Sequence, residues 1–152
     1  MRDTAHQITE LKLPAKEEYI VVAKRAAGAL GSVVGFSLAE IDDLNIAITQ
    51  ACENAVAAAT DQWGKGNGQL KLTFKGQRGK LEVNITSTPP RAVELQQTPA
   101  PAVRPVRRLP REESLDYEGI GLNMIRLFVD ELRYQVDDQG CMRMRMVKYL
   151  ID

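Results

Sequence analysis

The residues from Leu38 to about Thr60 commit this chain to one long helix lying against a core. Ile41, Leu44, Ile48, Cys52, Ala55 and Ala59 recur at three- and four-residue spacing and draw an apolar stripe along one side. Ser37 and Glu40 have the spacing of a capping box at its start: a hydroxyl for the third amide of the helix, and a carboxylate reaching back. Beside the stripe lies a second row, Gln50 and Asn54, with Ala58 one turn further on. Two carboxamides on the flank of an apolar helix are costly if buried without partners. They either hydrogen-bond inside the core or face something polar, and the rest of the chain has to decide which.

The flanking segments supply a sheet and two more helices. Ile8–Leu13 alternates and reads as a short strand ended by Pro14, which suits a helix start. Lys16–Leu30 carries Tyr19, Val22, Ala23, Ala26, Ala27 and Leu30 at helical spacing, with Gly28, Gly31 and Gly35 weakening its far end. After a glycine-rich turn at Gly64–Gly68, Leu70–Phe74 and Leu81–Ile85 alternate around a second turn, which predicts a hairpin with one buried face. Leu122, Ile125, Leu127, Phe128, Val129 and Leu132 form a wide apolar helical face. Leu132–Val136 and Met142–Leu150 alternate as two closing strands, in which Met142, Met144, Met146, Lys148 and Leu150 share one side. The methionines read as core filler. Strand, helix, helix, hairpin, helix and two strands is not a doubly wound alternation. It predicts an α+β two-layer sandwich, with three helices on one face of a mixed sheet.

One segment stands apart. Six of the seven prolines fall between Pro89 and Pro110, interleaved with Arg91, Arg104, Arg107 and Arg108. That density excludes helix and central strand, so Thr88 to Tyr117 is expected to be a long loop: a lid, a binding loop or a disordered insertion. Gly119 and Gly121 follow at the entry to the next helix, where missing side chains let a ligand approach free amide donors.

Composition narrows the function classes. At 152 residues one domain is expected over the whole chain, 1–152. Lys plus Arg equal Asp plus Glu, so the formal net charge is zero and nothing asks for nucleic acid or an anionic membrane. A single histidine and two distant cysteines, Cys52 and Cys141, make zinc a poor expectation. Reduced thiols, no visible signal peptide and no apolar run near the ~20 residues of a membrane span point to the cytoplasm.

The EN-A segment of the long helix, the long loop, and EGIGLNMI entering the next helix resemble the GHKL ATP-binding fold. Within it, GIGLNMIRLFVDELRY followed by a closing hairpin ending in MVKYL is similar to the anti-sigma serine kinases of the RsbW type. The resemblance covers nearly the whole chain, from Ile8 to Leu150. It implies ATP as ligand, with Asn54 coordinating Mg²⁺ between phosphates, a neutral oxygen that a hard cation accepts. It implies that Gly119, Gly121 and the following Leu122 bring backbone to the phosphates, that 88–117 is the ATP lid, and that Lys24 faces a protein partner. It also implies a sigma factor and a STAS-type anti-anti-sigma protein as partners, and a homodimer paired through sheets.

Two positions depart from the family pattern. Gln50 stands where the family has the glutamate that activates the attacking hydroxyl, and an amide cannot act as a general base. Glu53 adjoins Asn54 but points roughly 100° away around the helix. Ser87 stands where the family has an aspartate that accepts from adenine, and Pro89 replaces its glycine. Ala58 replaces a frequent histidine. Two readings remain open: an ATP-dependent serine/threonine kinase controlling a sigma factor, or a non-catalytic module on the same fold with weakened or lost nucleotide binding.

Overall fold

The computed structural model describes residues 7–90 and 121–150. Strand β1 (Gln7–Pro14) leads through a 3-10 turn into helix α1 (Ile20–Val34), then helix α2 (Leu38–Trp63). The hairpin β2 (Gln69–Gln77) and β3 (Lys80–Thr88) follows. Helix α3 spans 121–126 of the described residues, and the hairpin β4 (Glu131–Val136) and β5 (Met142–Tyr149) closes the fold. The long loop expected at 88–117, and Gly119 with it, lie outside the described residues beyond Pro90.

The five strands form one sheet in the order β1-β2-β3-β5-β4. Every ladder is antiparallel, where a mixed sheet was expected. The reason is where the crossover lands. The chain leaving β3 enters the sheet one strand further out as β4, and the tight hairpin then drops β5 into the gap. β3 and β4 run the same way but never touch.

Register aligns apolar residues in rows across the sheet. Leu11, Leu72, Ile85, Met144 and Tyr134 are successive ladder partners, and Phe74, Val83, Met146 and Leu132 form the next row. Leu70, Leu72, Phe74, Leu81, Val83, Ile85, Met142, Met144 and Met146 are buried, while their alternating neighbours within the strands, Val147 excepted, are half-buried or exposed. The helices cover this one face. α2 presses Leu44, Ala47, Ile48, Ala51, Cys52, Ala55, Val56 and Ala59 into the core, so the expected stripe is present. Each large side chain buried this way contributes roughly 1.5–3 kcal/mol. The capping box is also formed: Ser37 N–H donates to Glu40 Oε1 at 2.8 Å, and Glu40 N–H to Ser37 Oγ at 3.1 Å.

Three local expectations are corrected. α1 does not weaken at Gly28 and Gly31 but runs on to Val34. A Cβ on Gly31 would sit 3.1 Å from Ile41 and 3.3 Å from Phe36, so glycine there lets α1 and α2 approach closely. Its buried positions are Ile20, Ala23, Ala27 and Gly31, while Tyr19 and Val22 face outward. Finally, the third helix ends before Leu127. Phe128 N–H donates to Ile125 O, and Phe128 O accepts from the buried Lys148 Nζ at 3.2 Å, which turns the chain toward β4.

Candidate functional site

Helix geometry puts Gln50 and Asn54 one turn apart on the flank of α2, beside the buried row of Ala47, Ala51 and Ala55. The two amides bond to each other: Gln50 Nε2 donates to Asn54 Oδ1 at 3.1 Å. Asn54 Nδ2 is buried and has no partner among the described residues. A buried donor left unmatched costs roughly 1–3 kcal/mol. Above the pair lies Gly121, where α3 enters the described structure. A Cβ there would be 3.0 Å from Asn54 Nδ2, 3.2 Å from Asn54 Oδ1 and 3.3 Å from Gln50 Nε2. The two motif regions, distant in sequence, therefore meet backbone on amide, and glycine makes the contact possible. Leu122, the next residue, packs half-buried against the core.

Next to the amides opens a cleft of about 560 Å³ whose lining includes Lys24, Thr49, Gln50, Glu53 and Met124. Lys24 is thus brought to the same cleft as Gln50 from a different helix. Glu53 is brought there too, although its neighbour Asn54 faces elsewhere. Thr49 and Met124 were not singled out from sequence. For Thr49 the available signal was its place one turn before Glu53, on the polar flank of the apolar stripe.

The family profile of the histidine kinase-like ATPase domain matches residues 13–148. The chain belongs to the histidine kinase-like ATPase family. Curated relatives include the serine-protein kinase RsbW of Bacillus cereus (strain B4264), 28% identical over 145 residues, covering 93% of this chain and 84% of the relative. The RsbW proteins of Bacillus thuringiensis (strain Al Hakam) and Bacillus anthracis (strain CDC 684 / NRRL 3495) match at the same identity and coverage. Among solved structures, the RsbU and RsbW domains of Rv1364c from Mycobacterium tuberculosis superpose with a TM-score of 0.60 at 15% identity. That likeness covers 95% of this chain but 32% of the other, so the chain spans about a third of that protein. It bears on the fold.

Histidine kinase-like ATPases use ATP, and the residues of this member can be set against that ligand. Ser87 occupies the helix-facing side of β3 in the expected register, opposite Leu70, and is fully buried. Its Oγ accepts the N–H of Met142 at 2.8 Å. The β3–β5 ladder stops at Thr86 and Arg143, so this hydroxyl supplies the acceptor that the ladder no longer provides. The arrangement around Asn54 does not fit Mg²⁺ as it stands. Its oxygen is turned toward Gln50, its other end is a buried donor, and no group of three or more His, Cys, Asp or Glu side chains that could hold a metal occurs among the described residues. Position 50 carries no carboxylate, so it offers no general base. The cysteines are free; burial, followed by the nearby Glu53, pushes the Cys52 thiol up to about 12, which leaves it inert.

Proposed function

We propose that this protein is an RsbW-like regulator, acting as a single cytoplasmic domain, that holds a sigma factor and yields it to a STAS-type antagonist without phosphorylating it. ATP is the ligand at the Asn54 corner; phosphoryl transfer is silent. The observation that carries this reading is the Gln50–Asn54 hydrogen bond. It occupies, with an amide, the place where a kinase of this type needs a base and a free oxygen. The resemblance to the RsbW type implies the regulatory partners, and the outer surface of α1 supports them. There Val21 and Val22 remain 48% and 41% exposed beside Lys24, an apolar and basic face of the kind that partners cover. No described helix is long and apolar enough to cross a membrane. β1, an edge strand with an open ladder side, is the edge through which a homodimer would pair.

The test is reconstitution with the host's sigma factor and STAS protein, γ-labelled ATP and Mg²⁺. Sigma-factor capture without transfer is expected from wild type. Gln50→Glu paired with Ser87→Asp should raise transfer by about 10²–10⁴-fold, the usual worth of a general base. Ready phosphorylation of the STAS protein by wild type would sink the proposal. A monomer in sedimentation at tens of micromolar, an order-of-magnitude working concentration, would remove the dimer from it.

A further inference from the structure

We infer that Gln50 is a positioning residue that fixes which end of the Asn54 carboxamide faces the ligand, so that this corner binds a phosphate-bearing ligand without a bridging Mg²⁺. The inference deepens the nucleotide reading above and rests on it for its ligand. A glutamate at position 50 could only accept a hydrogen bond. Asn54 would then have to offer its NH₂ to that neighbour, and its oxygen would be left for a cation. A glutamine allows both orientations. Here Gln50 Nε2 donates and Asn54 Oδ1 accepts, so the oxygen is turned along the helix toward Gln50. The group left over is Nδ2, buried, without a partner among the described residues and lying against Gly121. A donor in that position repels a metal ion and attracts an anionic oxygen, which would relieve its missing hydrogen bond directly. The substitution at position 50 therefore does more than remove a base: it exchanges an acceptor for a donor at the neighbouring residue.

Two measurements on the full chain separate this from the nucleotide reading. In the first, ATP is titrated against wild type, Gln50→Glu and Gln50→Leu, each with Mg²⁺ and with EDTA at equal ionic strength. Wild type should bind with the same affinity in both, to within a factor of about three. Gln50→Leu frees the Asn54 oxygen without adding charge, so it should gain at least about tenfold from Mg²⁺, the usual scale for residues that orient a metal ligand. Gln50→Glu should gain more. A tenfold Mg²⁺ enhancement in wild type, or none in Gln50→Leu, overturns the inference. In the second, ligand-free protein is labelled with ¹⁵N and the Asn54 NH₂ signals are identified by their loss in Asn54→Asp. They should move downfield in Gln50→Glu as Nδ2 gains an acceptor; unmoved signals overturn the orientation. Absence of ATP binding in every variant, with the NH₂ signals moving as expected, would defeat the nucleotide reading and keep the orientation.

Discussion

Ser87 and Asn54 are both polar residues set into the apolar layer between helices and sheet, and they differ in how completely the fold uses them. The Ser87 hydroxyl closes the end of the β3–β5 ladder by accepting from Met142. Asn54 has one end tied to Gln50 and the other tied to nothing among the described residues. A buried polar group that is fully matched belongs to the architecture; one that is half matched is an opening for something else to bind. The two departures from the kinase pattern are thus unlike. At Ser87 the side chain has been taken into the fold, and at Gln50 the chemistry of a neighbour has been turned around.

The comparison can be broken most visibly at the contact over Asn54. Gly121→Val places side-chain carbons where the two amides already lie, and should cost about 3 kcal/mol, the upper end of overpacking; denaturant melts would show it, and an unchanged midpoint would mean α3 is not held against α2. Ser87→Ala leaves the buried Met142 N–H without an acceptor and should cost about 2 kcal/mol. Asn54→Leu removes a buried donor that is unmatched among the described residues, but also the oxygen that accepts from Gln50; the gain and the loss oppose, so stability should change by less than about 1 kcal/mol in either direction. If the Asn54 variant loses more than the Ser87 variant, the contrast is wrong. The smallest effect concerns Glu82 on the open face. Burial raises its carboxyl, but hydrogen bonds from Arg145 and Asn84 and the charges of Arg145 and Lys75 outweigh that and hold it below its usual range. Its stabilisation is present above the unfolded value of about 4.3 and is lost as the pH falls from there through the lower folded value. Glu82→Gln should flatten that acid dependence and cost under about 1 kcal/mol at neutral pH.

Much of the fold was legible because its signals are periodic and local. The stripe of α2, the capping box, the hairpin β2–β3 and the methionine face of β5 all follow from spacing alone. The glycines of α1 misled because propensity counts only the loss of a side chain, whereas Gly31 is there for a close helix contact. The mixed sheet was wrong because no residue announces where a crossover lands; pairing partners are set by tertiary packing. At the site, Gln50, Asn54 and Gly121 could be picked out singly. The direction of one hydrogen bond could not, since the same two residue types allow it either way round. Lys24 and Glu53 meet Gln50 in one cleft only because α1 and α2 pack at that angle.

The placing of β5 between β3 and β4 has a consequence for how the molecule comes into being. β3 waits for a neighbour that lies beyond the proline block, with Lys80 pairing to Tyr149 and Thr86 to Arg143. Until that last strand has been synthesised, one side of β3 presents unpaired amides and carbonyls, and the hydrophobic row of Leu81, Val83 and Ile85 is only half covered. Folding cannot finish strand by strand behind the ribosome. It ends with a long-range insertion, which belongs to the slow class of folding events, and the nascent chain is most open to wrong partners just before β5 emerges.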